Sequence, residues 1–131
     1  MYFAKEMLTI KNKLEKIGHH IELPIDTNEC LTNPKLSESL EHCENFADVD
    51  VDKDHFNKIA ASDAILVLNY DKSNIKNYIG GATLMEIGVA RYLDKKIFIL
   101  NNLPSEDDLR YALEIKLTKP IIINENLNKI I

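Results

Sequence analysis

Tryptophan is missing from the 131 residues, and glycine, proline and cysteine are scarce at four, four and two. Two cysteines, Cys30 and Cys43, cannot build the bridge framework that staples small secreted domains. They form no CxxC pair. His42 adjoins Cys43, yet no second pair offers zinc-ligand spacing, so no metal is expected. A run of about 18 apolar residues is also lacking, as is a basic stretch leading into an apolar one at the start. Neither a membrane span nor a signal peptide is therefore expected, and a cytoplasmic setting is the default. The 16 Lys and Arg are outnumbered by 21 Asp and Glu, for a net charge of −5, and are scattered among the acids. No basic stripe is available to neutralise phosphates, which removes nucleic acid as a partner.

What is present suits one globular domain spanning 1–131: 45% apolar and 28% charged residues on a chain long enough to bury a core. Phe3, Met7, Ile10, Leu14 and Ile17 recur at steps of three and four, which predicts a helix closed by Gly18. His20 to Leu23 reads as a short strand stopped by Pro24. A turn-rich stretch from Ile25 to Pro34 and a helical pattern from Leu36 to Phe46 follow. The acidic run Asp48 to Asp54 interrupts, and His55 to Ala61 reads as a further helix.

Ala64 to Leu68 is apolar throughout, as a central parallel strand covered on both faces requires. Gly80-Gly81 opens a helix from Ala82 to Leu93, and Lys96 to Leu100 is the next strand. Ser105 to Leu117 is expected to be helical, with Ser105 as N-cap and Asp107 and Asp108 in the first turn. Pro120 to Ile123 is the last strand. Alternating strands and helices predict a doubly wound α/β sheet in three layers. Such sheets open on a strand, whereas this chain opens in a helix. The expectation is a sheet whose first strand is absent here, supplied upstream of Met1 or dispensed with.

Ligands of open parallel sheets bind beyond the carboxyl ends of the strands. That rim should hold Asn69, Asp71, Lys72, Ser73, Asn77 and Tyr78, then Gly80, Gly81 and Thr83. A Gly-Gly pair at a helix start is either a simple turn or a cradle of backbone N–H groups for an anion. Neither GxGxxG nor GxxxxGK[ST] is present, so dinucleotide and ATP sites of those types are not expected. Glu86, in the first turns of that helix between Met85 and Ile87, is either an acid facing a pocket or plain compensation of the helix dipole. Tyr78 could stack on a base or simply pack. His19 and His20, at a helix-to-strand junction, read as surface or satisfied structure.

Three runs resemble the nucleoside 2-deoxyribosyltransferase family and its nucleotide N-glycosidase relatives. They are Ser62-Asp63-Ala64-Ile65-Leu66-Val67-Leu68-Asn69, Tyr78-Ile79-Gly80-Gly81-Ala82-Thr83-Leu84-Met85-Glu86-Ile87-Gly88-Val89-Ala90, and Lys95-Lys96-Ile97-Phe98-Ile99-Leu100. The opening helix through Gly18-His19 and the Leu23-Pro24 step are similar too. The Glu-Ile-Gly-x-Ala block is the most specific part. The resemblance implies a Rossmann-like (flavodoxin-like) fold, Glu86 as catalytic nucleophile, a nucleoside or nucleoside monophosphate as substrate, a homo-oligomer (a dimer) as the working state, and no metal or organic cofactor.

The implied chemistry accounts for a carboxylate. Breaking an N-glycosidic bond builds oxocarbenium character that a carboxylate stabilises and then captures, and the leaving base must gain a proton. Family members place an aspartate on the helix before the central strand, a place that both Asp54 and His55 approach. Asp63 more simply caps the strand entry. Asp71 belongs either to a loop closing over a sugar or to a solvated loop, and Asn69 is placed to bond a ligand hydroxyl. Two departures stand out. The sugar-holding loop of a first strand is represented at most by Tyr2, and the acidic pair some transferases carry before the nucleophile's turn is replaced by Ile79-Gly80-Gly81. The expected function is hydrolysis or transfer at the N-glycosidic bond. The alternative is a non-catalytic module of the same fold that binds a nucleotide or nucleotide sugar.

Overall fold

The computed structural model describes residues 3–24 and 50–131. Tyr2, Cys30, His42, Cys43, the turn-rich stretch from Ile25 to Pro34 and the helical pattern from Leu36 to Phe46 lie outside the described residues. The chain divides into two units, Met1–Lys58 and Ile59–Ile131.

In the first unit, helix α1 (Ala4–Lys16) follows the expected stripe and buries Ala4 and Leu14. Its end is a Schellman motif: Gly18 N–H donates to the Glu15 carbonyl and His19 N–H to that of Leu14. Gly18 sits at φ 101°, where a side chain would be strained. His20 to Leu23 does not form the expected strand. Its polar groups are satisfied otherwise: His20 Nε2 lies 3.0 Å from Glu22 Oε1, and Lys58 Nζ donates to the Leu23 carbonyl at 3.0 Å. A side chain here replaces a ladder partner, and Pro24 stops the segment. Helix α2 (Val51–Ala60) starts a turn earlier than His55. The acids Asp52 and Asp54 occupy its first turn, where the dipole favours them, so part of the acidic run begins the helix rather than breaking it.

The second unit carries a three-stranded parallel sheet: β1 (Ala64–Val67), β2 (Lys96–Ile99) and β3 (Ile121–Ile122), in the order β1-β2-β3. Ala64 pairs with Lys96 through Val67 with Ile99, and Phe98 and Ile99 pair with Ile121 and Ile122. Helix α3 (Gly81–Tyr92) connects β1 to β2 and packs on both. Helix α4 (Ala112–Leu117) connects β2 to β3. A 3₁₀ turn, Leu127–Lys129, follows.

The middle strand is β2, whose Ile97, Phe98 and Ile99 are buried. Among the described residues β1 is an edge strand, with Ala64, Ile65 and Leu66 only half-buried. Its unbroken apolar run had suggested the centre, but apolarity reports burial of faces and says nothing of strand order. The helix expected from Ser105 is shorter too. Ser105 Oγ does accept the Asp107 N–H at 3.1 Å, and its carbonyl takes those of Asp108 and Leu109. The result is an isolated turn, with helical residues beginning only at Ala112. Ile79, Ile87, Leu100, Ile115 and Ile123 complete the core of this unit. Among the described residues no helix is long and apolar enough to cross a membrane.

Candidate functional site

Past the last β1–β2 ladder bond (Leu100 N–H to the Val67 carbonyl, 3.0 Å), side chains continue the pairing. Asn69 is fully buried. Its Oδ1 accepts the Asn101 N–H at 2.8 Å, and its Nδ2 donates to the carbonyls of Asn101 (3.1 Å) and Asn102 (2.9 Å). Asn101 Nδ2 returns a bond to the Asn69 carbonyl at 3.3 Å. Both amide hydrogens of Asn69 are committed. The residue expected to meet a ligand hydroxyl instead clamps the β1 rim to the β2 rim.

From that clamp the chain makes a closed lobe, Tyr70 to Tyr78. Tyr78 N–H donates to the Tyr70 carbonyl at 2.9 Å, Asn77 N–H to Asp71 Oδ1 at 2.9 Å, and Lys72 and Ile75 exchange backbone bonds of 3.0 and 2.9 Å. Ser73 and Asn74 form the tip, both at positive φ (53° and 62°), as a two-residue hairpin turn of type I′ demands. Asp71 is thus exposed but already tied to the lobe's own backbone.

Tyr78 turns the lobe back toward α3. Lys72 Nζ stands 5.2 Å from its ring centroid, a cation–π distance, and burial holds the Lys72 ammonium below its ordinary pKa. On the other side the ring closes on Gly80, where a Cβ would lie 3.5 Å from the Tyr78 hydroxyl. Tyr111, just before α4, donates its hydroxyl to the Ile79 carbonyl. Burial, and then the neighbouring Tyr78, push the Tyr111 phenol above its ordinary pKa. Two tyrosines therefore fix the peptide that leads into α3.

Helix α3 begins with an extended Gly80 as N-cap, no capping side chain and no acid in its first turn. The amide groups of Gly81, Ala82 and Thr83 carry the positive end of the dipole uncompensated. Thr83 and Glu86 are half-buried and three residues apart, so they are neighbours on the helix surface beside the buried Ile87 and Ala90. Glu86 lies past the first turn, which removes it from the role of dipole compensation at the helix start.

Asn69, Asp71, Tyr78, Gly80, Gly81, Thr83 and Glu86 thus all lie in the second unit, on the continuous stretch from the end of β1 into α3. Asp54 and His55 are consecutive on α2 in the first unit, both half-buried. Asp54 Oδ2 is buried and lies 3.4 Å from Lys58 Nζ. Asp63 stays at the strand entry, its carbonyl accepting the Lys96 N–H at 3.4 Å. Among the described residues no three His, Cys, Asp or Glu side chains come together as a metal set. Sequence reasoning missed Asn101 and Tyr111. A polar residue directly after β2, matching Asn69 after β1, was the available signal for Asn101, and Tyr111 left none.

No family model, curated protein or solved structure matches the chain.

Proposed function

We propose that this chain acts at the N-glycosidic bond of a (deoxy)nucleoside or nucleoside monophosphate, with Glu86 as the nucleophile. The observation that carries the reading is the placement of Glu86. It is half-buried on α3, one turn after Thr83, on the helix that an uncapped, anion-accepting start presents at the strand rim. The finer fold we infer is a Rossmann-like, flavodoxin-like doubly wound sheet, of which β1-β2-β3 and their two helical crossovers would be one half.

In this mechanism a Glu86 carboxylate oxygen attacks the anomeric carbon as the bond to the base breaks. The bonding pair leaves on the base nitrogen, which takes a proton from an acid or a bound water. Water, or a second base, then attacks the same carbon and releases the carboxylate, and its proton passes to the conjugate base left by the first step. No redox change occurs, and every proton and electron pair is accounted for among substrate, carboxylate, acid and acceptor. Tyr78 and Thr83 would line the entry, and Asp71 and the lobe would lie over it.

The test is release of free base from a panel of ribo- and deoxynucleosides and their monophosphates, followed by chromatography. The wild type should release base from some member. Glu86→Gln should lose on the order of 10³-fold or more in rate while its melting temperature stays unchanged. Undiminished release by that variant would sink the assignment. Ligand-dependent thermal stabilisation without any base release would transfer the reading to a non-catalytic nucleotide-binding module.

A further inference from the structure

The loops that follow β1 and β2 run in step. The ladder pairs Ala64 with Lys96 through Val67 with Ile99, and the same offset of 32 residues returns twice beyond the strands. Asn69 bonds Asn101 through side chain and backbone, and the Ile79 carbonyl receives the hydroxyl of Tyr111. Each end of the first loop is therefore bonded to the matching end of the second. The Tyr70–Tyr78 lobe hangs between these two anchors.

The anchors differ in what else holds the chain beside them. At Asn69 the backbone ladder has only just ended, with the Leu100 N–H on the Val67 carbonyl. At the other end the chain leaves the buried Ile79 and passes through Gly80 and Gly81 before the helix is under way. Two consecutive glycines give the backbone its greatest freedom here. No side chain caps α3, and its first backbone bond runs from the Leu84 N–H to the Gly80 carbonyl at 2.9 Å. In place of a cap this end has the Tyr111 hydroxyl, fixed to the peptide just before the glycines. Tyr111 is itself firmly seated, immediately before α4 and between the buried Leu109 and Ala112. Its raised pKa keeps the phenol in the protonated form that donates. Farther along α3, the fully buried Ile87 and Ala90 hold the helix to the sheet. Glu86 lies between the two holds, past the first turn and next to Ile87.

We propose that Tyr111 is a positioning residue, whose bond to the Ile79 carbonyl fixes the glycine start of α3 and, through it, the place of Glu86. It acts through a peptide and not on the reacting atoms. The consequence for turnover rests on the proposed reading of the site, whereas the hold on the helix start does not.

Tyr111→Phe keeps the ring and removes the donor. Amide hydrogen exchange, followed residue by residue, reads the hold without substrate. Leu84 should exchange about five- to tenfold faster in the variant, the worth of one neutral hydrogen bond. Leu93, whose amide closes the far end of the helix on Val89, should keep its rate. Gly81→Ala is the companion variant, because Gly81 has no positive φ and a Cβ there meets nothing within 4 Å. Alone it should change Leu84 little; added to Tyr111→Phe it should restore most of the lost protection, since it stiffens the start by another route. An unchanged Leu84 would overturn the inference, and so would equal acceleration of Leu84 and Leu93, which is a general loss of stability. In base release Tyr111→Phe should lower kcat about tenfold with KM kept within about twofold, because a displaced nucleophile weakens the transition state more than binding. A raised KM at full kcat would remove Tyr111 from the reaction. A wild type that releases no base would end the functional reading alone, with Leu84 still deciding the hold.

Discussion

Beyond Val67 the pairing of β1 with β2 passes from backbone to side chain, and the carboxamide of Asn69 carries most of it. A buried amide with three partners stabilises only modestly, yet leaving those partners unmatched would cost about 1–3 kcal/mol for each group. The position of Asn69 was legible as the end of an apolar run, but its bonding was not, because its partners lie 32 and 33 residues away. Tyr111 is the same problem in a sharper form. Its hydroxyl holds the Ile79 carbonyl from a segment with no periodic pattern to mark it. Because burial and Tyr78 raise its pKa, the folded state favours the protonated phenol over the unfolded chain. The associated stability is complete below the ordinary value near 10.0 and is lost as pH rises through the folded value. Tyr111→Phe should therefore cost about 1 kcal/mol at neutral pH and lose less than the wild type on going above pH ~10. Urea midpoints of the two proteins, compared at neutral and alkaline pH, check this. Equal alkaline losses would show that the phenol is not coupled to folding.

At the scale of elements, the local rules worked where pattern and context agreed. Helix α1, its Gly18 end and the three strands of the sheet follow from periodicity, apolar runs and turn residues. The errors come where a local signal was sound but a distant one prevailed. Ser105 caps a turn that goes no further, and His20 to Leu23 is extended enough for its alternate side chains to meet, yet Lys58 takes the carbonyl a neighbouring strand would need. The Tyr70–Tyr78 lobe has no helical or strand pattern, and nothing in Ser73-Asn74 announces a type I′ tip, for which Asn-Gly is the usual signature. That choice leaves strain to relieve. Ser73→Gly should raise stability by about 0.5–1 kcal/mol, since a serine at φ 53° gives way to a residue that adopts it freely. Chemical denaturation measures it, and a destabilised variant would mean the tip is not in that conformation in solution.

Across the described residues, burial and hydrogen bonding are unevenly shared, and the Tyr70–Tyr78 lobe lies at the poor end of the distribution. The site was legible as a segment, Asn69 to Glu86, because strand ends, glycines and a lone acid all mark it. The Tyr111 brace was not, since it joins segments far apart in the sequence. The amides of Phe98, Ile99 and Leu100 sit between two strands and are fully buried. The lobe rests on four backbone amides whose neighbours Ser73, Asn74 and Lys76 are exposed. Local opening needs only those few bonds, whereas freeing β2 means dismantling the sheet. Hydrogen exchange should then separate the two. The lobe amides of Asn77 and Tyr78 should exchange early, at rates that low denaturant does not change. Those of Ile99 and Leu100 should exchange last and speed up with denaturant as global unfolding does. Protection of the lobe equal to that of Ile99 would mean that it moves only with the sheet. On the proposed reading, a segment that opens on its own would admit a substrate past Tyr78 without loosening the helix that holds Glu86.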